Sequence, residues 1–230
     1  MKTRIIRTDT FVGDAVAIIH DVALESIAER GIFRLGLCGG NTPRPVYADL
    51  AKLYLDLPWE KIQVTFGDER CVPPGDAQSN YNMAKISLFD AVNFPEGNIF
   101  RVRGEIDPAE AAQEYEQKLA QVASRFGEER YSHDLLLLGL GEDGHTASLF
   151  PGSPALDETV RNVIPTTGPK PPPQRITFTL PLINAARHVC FLVNDPAKSA
   201  IIDRATSGDE SLPSARVRPA SGRLTWLIGL

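Results

Sequence analysis

An aspartate and a histidine follow a run of strand length in the middle of the chain. Residues 134–139 are almost wholly apolar, and the sequence Gly-x-Gly-x-Asp-Gly-His that begins at their end carries Asp143 and His145. Such a run is typical of a strand buried on both faces, as in a parallel sheet, and ligands of these sheets bind beyond the carboxyl ends of the strands. An imidazole titrates near neutral pH, so His145 is the candidate general base. Asp143 is placed to set its tautomer or to hold a substrate hydroxyl.

The other three histidines lie where a structural role is the simpler interpretation. His20 falls within a predicted helix, His133 precedes a predicted strand and His188 begins another. Only His145 follows a glycine-rich turn at the carboxyl end of a strand, where α/β proteins place their chemistry. We therefore predict a functional role for His145 alone.

A glycine-rich loop, Gly39-Gly40-Asn41-Thr42-Pro43, follows an earlier predicted strand. Glycines let backbone amides approach a ligand closely, and a helix N-terminus presents free N–H groups and the positive end of its dipole. Thr42 as N-cap and Pro43 at the first helical position predict such a helix. The loop therefore suits a phosphate group, but a tight turn with a threonine cap explains the same residues, since short glycine motifs give many false positives.

A third polar loop, which carries Asp68 and Arg70, follows the next predicted strand. Asp68 is a candidate for orienting a polar substrate, and the guanidinium of Arg70 for a forked contact with phosphate oxygens. The alternative is an exposed ion pair between the two, which contributes little to stability. Downstream, Asn80 either faces a ligand or belongs to a helix cap.

Two further cations are candidates for binding an anion. Lys198 opens a helix after a predicted strand, on the same edge as the three loops, although a solvated helical lysine is the common alternative. Arg175 begins a predicted strand, so in a wholly parallel sheet it would lie at the amino end, away from that edge.

Strand and helix patterns alternate along the chain, which predicts a doubly wound, mainly parallel α/β sheet flanked by helices. No repeat or composition break divides residues 1–230, so we expect one domain, with the proline-rich residues 165–173 as a surface loop. Strands are predicted over residues 32–38, 61–66, 134–139, 175–179, 188–193 and 224–228. Helices are predicted over residues 15–27 (closed by Gly31), from 43, from about 81, over 108–124 and near 197–205.

The composition excludes several classes of protein. Lys and Arg number 24 and Asp and Glu 29, for a formal charge of −5, so non-specific nucleic-acid binding is not expected. The three cysteines show no disulfide or zinc spacing and predict buried or semi-buried thiols in a reducing compartment. Residues 1–7 lack the apolar core of a signal peptide, and no window suits a membrane span. We therefore expect a cytoplasmic protein.

Metal and nucleotide chemistry are not indicated either. No Cys, His or carboxylate cluster has metal-ligand spacing, and no GxGxxG or Walker motif is present. No serine elbow or Cys–His arrangement stands out as a nucleophile. Activated-water chemistry or proton transfer on a small phosphorylated molecule remains, without a cofactor.

Five motifs in this order resemble those of the 6-phosphogluconolactonase family. They are LCGGNTP (37–43), GDERCVP (67–73), SN (79–80), GLGEDGHTASLFPG (139–152) and RITFTLP (175–181), and LPSARV (212–217) with LTW (224–226) is similar to the family's ending. The resemblance covers nearly the whole chain. It implies the fold shared with glucosamine-6-phosphate deaminase and ribose-5-phosphate isomerase. It also implies metal-independent hydrolysis of 6-phospho-D-glucono-1,5-lactone to 6-phosphogluconate, the second step of the pentose phosphate pathway.

The resemblance also implies roles for individual residues. His145 would activate the attacking water, and Asp143 and Asp68 would hold substrate hydroxyls or support His145. The implied contacts to the substrate and its phosphate come from Gly39, Gly40, Asn41, Thr42, Arg70, Asn80, Arg175 and Lys198. The chain departs from the family pattern at Asn41, usually Ser, and at residues 194–196, where a glycine-containing turn is more frequent. We expect a small-molecule phosphosugar lactone as the partner and a monomer or weak homodimer.

Two alternatives stay open at this point. An isomerase or deaminase of amino-sugar phosphates shares the Asp-Gly-His sequence but carries a glutamate downstream, where this chain has the uncharged residues 146–151. A non-catalytic sugar-phosphate sensor with the same fold would not need Asp68, Arg70, Asp143 and His145 all to be present.

Overall fold

The computed structural model describes residues 2–55, 57–220 and 222–230. Nine strands and six α-helices follow one another along these segments. The strands are β1 (Lys2–Thr8), β2 (Phe33–Leu37), β3 (Ile62–Phe66), β4 (Asp68–Arg70), β5 (Leu135–Leu138), β6 (Val163–Thr167), β7 (Gln174–Phe178), β8 (His188–Val193) and β9 (Arg223–Gly229). The helices are α1 (Phe11–Arg30), α2 (Pro43–Leu53), α3 (Asn80–Ala84), α4 (Pro108–Arg125), α5 (Leu180–Asn184) and α6 (Ser199–Thr206).

Six strands form a parallel sheet in the order β1-β9-β8-β5-β2-β3. Each leucine of β5 is fully buried, because alternate side chains enter two hydrophobic cores on opposite faces of the sheet. Leu136 and Leu138 pack with α4 and α5, and Leu135 and Leu137 with α1 and α2. The predicted doubly wound, mainly parallel α/β fold is confirmed.

A second, antiparallel sheet has the order β4-β7-β6 and was not predicted. Residues 68–70 therefore form a strand instead of a loop, and the strand predicted over 175–179 does not belong to the parallel sheet. Of the predicted surface loop over 165–173, residues 165–167 lie in β6. Three polar residues give β4 no periodicity to detect, and Pro165 is tolerated in β6 because this strand lies at the sheet edge.

Two helix boundaries test the sequence signals directly. Gly31 closes α1 with φ +76°, as predicted, since glycine adopts this left-handed conformation without strain. Thr42 does precede Pro43 at the start of α2, but its hydroxyl makes no capping hydrogen bond. Its backbone angles are helical (φ −62°, ψ −46°) where a capping side chain needs an extended residue, so the predicted threonine cap is wrong.

The buried thiols follow the sequence prediction. Cys38 and Cys190 are buried, Cys71 is half-buried, and all three are free. Over the described residues, no helix combines the length and the apolar character needed to cross a membrane.

Candidate active site

A cleft of about 750 Å³ opens at the carboxyl edge of the parallel sheet. It brings together all eleven residues that the sequence singled out, although these lie on six separate segments of the chain. They are Gly39, Gly40, Asn41, Thr42, Asp68, Arg70, Asn80, Asp143, His145, Arg175 and Lys198.

His145 and Asp143 form a hydrogen-bonded pair in this cleft. The ring Nδ1 of His145 lies 2.5 Å from Oδ1 of Asp143, which also accepts the backbone N–H of His145 at 3.1 Å. Partial burial raises the pKa of Asp143, but the two hydrogen bonds from His145 outweigh it and bring that pKa below its ordinary value. An ionised Asp143 favours the tautomer with the proton on Nδ1, which leaves Nε2 as the basic nitrogen.

The Asp143–His145 pair packs against Gly141, where there is no space for a side chain. A Cβ atom at Gly141 would lie 2.0 Å from Nδ1 of His145 and 2.8 Å from Oδ1 of Asp143. The loop closes on itself, because Gly141 donates its N–H to the His145 carbonyl and Thr146 its hydroxyl to the Gly139 carbonyl, both at 2.9 Å. Gly141 is thus needed for close contact within the loop itself.

Asp68 is held by hydrogen bonds that the sequence did not indicate. Its Oδ2 accepts the hydroxyl of Ser148 at 2.6 Å, and its Oδ1 accepts the side-chain amide of Asn80 at 3.1 Å. Ser148 is fully buried and follows Ala147, whose φ of +48° is uncommon for a residue with a side chain. Hydrogen bonds anchor Asp68 to Ser148 and Asn80, and Asp143 is the carboxylate that contacts His145.

Asn80 faces the cleft and does not cap its helix. Ser79 is the N-cap of α3, since its hydroxyl accepts the backbone N–H of Asn82 at 3.1 Å. The side chain of Asn80 occupies the space beside Gly39, where a Cβ atom would lie 1.8 Å from its Oδ1. Gly39 is therefore required for close approach of two loops.

Arg70 and Arg175 lie opposite each other on β4 and β7. Arg70 donates to the carbonyl of Gln78 at 2.6 Å and Arg175 to that of Lys170 at 3.2 Å. The buried Nε of each has no hydrogen-bond acceptor in the part of the chain that the structure describes. Burial, with the neighbouring charge of Arg70 second, lowers the pKa of Arg175. In a wholly parallel sheet Arg175 would lie away from the cleft, but β7 pairs antiparallel with β4 and brings its amino end to this edge.

The arginine pair has the properties of an anion site. Like charges directly opposite across two strands are destabilising, and among the described residues neither guanidinium forms an ion pair. The alternative of an Asp68–Arg70 ion pair is therefore wrong. The loop over residues 39–42 completes this side of the cleft, with Gly40 at φ +100°.

Lys198 reaches the cleft with its ammonium already occupied. Its Nζ donates to the carbonyl of Leu140 at 2.7 Å and lies 4.0 Å from Oδ2 of Asp195. The lysine thus ties the segment after β8 to the loop after β5.

A larger groove of about 950 Å³ adjoins the cleft and shares Asp143, Phe150 and Pro169 with it. Its charged pair, Glu158 and Arg161, is joined by a 2.8 Å hydrogen bond. We place the chemistry in the smaller cleft because it holds the Asp143–His145 pair together with two arginines that form no ion pair with any described residue. The described residues contain no group of three or more His, Cys, Asp or Glu that could hold a metal ion.

A known protein family matches most of this chain. Residues 7–226 match the model of the family described as glucosamine-6-phosphate isomerases/6-phosphogluconolactonase. The chain belongs to this family. A 6-phosphogluconolactonase from Synechocystis sp. is 44% identical over 207 residues, which cover 89% of this chain and 85% of that protein. Within the family, the chain is therefore an enzyme of the 6-phosphogluconolactonase branch.

Solved structures of family members have the same fold. The 6-phosphogluconolactonase from Thermotoga maritima superposes with a TM-score of 0.87 at 29% identity, over 100% of both chains. A monomeric glucosamine-6-phosphate deaminase gives 0.79 at 21% identity, over 100% of this chain and 97% of that one, and shows the shared fold. The predicted likeness to the deaminase fold is confirmed.

Proposed function

We propose that this chain hydrolyses 6-phospho-D-glucono-1,5-lactone to 6-phospho-D-gluconate, with His145 as the general base. The observation that carries the proposal is the presence, in one cleft, of a polarised Asp143–His145 pair and two arginines that have no carboxylate partner among residues 2–55, 57–220 and 222–230. The first suits proton abstraction from water, and the second suits the phosphate group.

In the proposed reaction, Nε2 of His145 takes a proton from a water molecule whose oxygen attacks the lactone carbonyl carbon. The ionised Asp143 stabilises the imidazolium that forms, through its 2.5 Å hydrogen bond to Nδ1. When the tetrahedral intermediate collapses, the bond between the carbonyl carbon and the ring oxygen breaks. The proton passes from Nε2 to that oxygen, which becomes a hydroxyl group. The carboxylic acid that forms keeps the second proton of the water and loses it to solvent, so that the final product is a carboxylate.

The remaining residues of the cleft would orient the substrate. Arg70 and Arg175 hold the 6-phosphate, with Gly39, Gly40, Asn41 and Thr42 supplying backbone amides beside them. Asp68 and Asn80, fixed to each other at 3.1 Å, bind the sugar hydroxyls. Lys198 contributes positive charge at the rim. Binding energy from the phosphate is thereby used to hold the carbonyl near the activated water.

The test generates the lactone in situ from glucose 6-phosphate and follows its loss against spontaneous hydrolysis, with EDTA present. We expect acceleration by the wild type, and His145→Ala to lower kcat by about 10²–10⁴-fold with KM nearly unchanged. Arg204→Ala is the control, since its exposed guanidinium pairs with Asp209 outside the cleft. An unchanged kcat in His145→Ala would exclude this histidine as the base.

Two further assays, run beside the lactone assay, separate the alternatives. Release of ammonia from glucosamine 6-phosphate without lactone hydrolysis would indicate a deaminase, and binding of 6-phosphogluconate without turnover a sensor. We also propose that the chain is a monomer or weak homodimer, which sedimentation velocity across a concentration series tests.

A further inference from the structure

A buried carboxylate lies directly behind the cleft, on the far face of β4. Side chains alternate along a strand, so Asp68 and Arg70 face the cleft and Glu69 between them points away. Glu69 is 2% exposed, and among the described residues it forms no ion pair with Arg, Lys or His. A buried carboxylate without a cation must be satisfied by hydrogen bonds.

Four hydrogen-bond donors contact the carboxylate of Glu69. Oε1 of Glu69 accepts the backbone N–H of Arg70 at 2.7 Å and that of Asn80 at 2.8 Å. Oε2 accepts the hydroxyl of Ser79 at 3.0 Å and the backbone N–H of Tyr81 at 2.8 Å. The carboxylate thereby joins β4 to the first turn of α3.

These hydrogen bonds fix the positions of Asn80 and Arg70, two residues that line the cleft. Asn80 is held by its backbone to Glu69 and by its side-chain amide to the carbonyl of Asp68 at 2.8 Å. The same side chain packs beside Gly39, so its position also sets the distance to the glycine-rich loop. Arg70 is held through its N–H on one side and through Gln78 on the other.

We propose that Glu69 is a positioning residue for substrate binding, because it holds Asn80 and Arg70 in register with Asp68 and Gly39. This inference rests on the proposed function. Glu69 touches no reacting atom and lies outside the Asp143–His145 pair, so its effect falls on the binding of the sugar phosphate.

Four donors require a group that only accepts. Burial raises the pKa of Glu69, with Asp68 adding to that effect, while the N–H groups of Tyr81, Asn80 and Arg70 oppose it. An amide in place of the carboxylate turns one acceptor oxygen into an NH₂ donor and points it at other donors. Glu69→Gln therefore changes the charge and two hydrogen bonds with almost no change in volume.

The experiment compares Glu69→Gln with Glu105→Gln, whose carboxylate pairs with Arg101 outside the cleft. We expect Glu69→Gln to raise KM for the lactone about tenfold and to lower kcat less than about threefold. The pH profile of kcat should keep its wild-type midpoint, since Asp143 and His145 are untouched. Glu105→Gln should leave KM and kcat within about twofold of wild type.

A second readout separates this inference from the proposed reaction. Calorimetric binding of 6-phosphogluconate needs no turnover, and Glu69→Gln should weaken it by about the same tenfold factor. If wild type binds 6-phosphogluconate but does not hydrolyse the lactone, the proposed function fails, and the binding ratio alone decides the role of Glu69.

Folding is checked by circular dichroism before either readout. If Glu69→Gln does not fold, Ser79→Ala decides, since it removes one donor to Oε2, and we expect KM to rise about two- to threefold. Unchanged KM and unchanged 6-phosphogluconate affinity in a folded Glu69→Gln, or in Ser79→Ala, would overturn the proposal. So would a wild type that does not bind 6-phosphogluconate.

Discussion

The two edges of the parallel sheet differ in how their charged side chains are paired within the described chain. At the amino edge, the carboxylate of Asp134 accepts hydrogen bonds from Nε–H of Arg30 at 3.0 Å and from the backbone N–H of Arg34 at 2.8 Å. Glu128 forms ion pairs with Arg34 and Arg187. Each of these charged groups has a partner of opposite sign. At the carboxyl edge, two arginines lie opposite each other and neither guanidinium has a carboxylate partner in the described chain.

This difference separates charges that stabilise the fold from charges kept for a ligand. The mutual hydrogen bonds of the amino-edge cluster offset part of the desolvation of its members, although burial still raises the pKa of Asp134. In the arginine pair, each buried Nε finds no acceptor among the described residues, which costs stability unless an anion supplies the missing oxygen atoms. Stability should therefore depend on the amino edge and substrate affinity on the carboxyl edge.

The largest effect on stability is expected at Asp134. Its side chain is 2% exposed, and Asp134→Ala leaves two donors, Nε of Arg30 and the backbone N–H of Arg34, without their acceptor and removes the 3.8 Å ion pair with Arg187. We expect a loss of about 3 kcal/mol in the free energy of unfolding, with KM unchanged in the folded fraction. Urea titration measures the first and lactone kinetics the second.

An exposed aspartate provides the control for this prediction. Asp203 is 67% exposed and lies 3.6 Å from Arg7, so Asp203→Ala should change the stability by less than about 0.5 kcal/mol. Equal losses in the two variants would contradict the role assigned to the amino edge.

The opposite result is expected at Arg175. Replacing this 7% exposed arginine by methionine removes a buried charge that faces Arg70. We expect Arg175→Met to raise KM about 10–100-fold, while the midpoint of thermal unfolding stays equal or rises. Thermal melts in the presence and absence of inorganic phosphate check this, because phosphate should stabilise wild type more than the variant. Arg204→Met is the matched control, and a fall in stability without a change in KM would make Arg175 structural.

The sequence was informative where one local signal determined one position. The all-leucine run of β5 predicted a strand buried on both faces, and glycines at its end predicted a turn that delivers Asp143 and His145 to the cleft. These signals need only the neighbouring residues. Five of the six strands of the parallel sheet were predicted in this way, and β1 was missed. The local signals also pointed to the candidate residues other than Arg175, although the roles of all eleven stay predictions.

What the sequence did not provide depends on contacts between distant segments. Whether Arg175 faces the cleft is decided by the pairing of β7 with the three-residue strand β4, and no periodicity marks so short a strand. Ser148 and Glu69 were missed for the same reason. Each becomes informative only when Asp68 or Asn80 is known to lie beside it.

The smallest effect concerns the buried histidine at the amino edge. Burial, followed by the positive charge of Arg223, lowers the pKa of His188 from 6.5 to about 4, and its Nε2 lies 2.9 Å from the hydroxyl of Thr225. Between these pH values the unfolded chain binds a proton that the folded chain does not. The contribution of His188 to the free energy of unfolding is therefore complete above pH 6.5 and is lost as the pH falls toward 4.

At pH 5.5 we expect wild type to lose about 1 kcal/mol of its free energy of unfolding relative to pH 8 through His188, and His188→Gln to lose less. The comparison at pH 8 isolates the packing cost of the substitution, because His188 is neutral there in both states. Parallel stability curves for the two proteins between pH 8 and pH 4 would show that His188 is not held neutral by its burial.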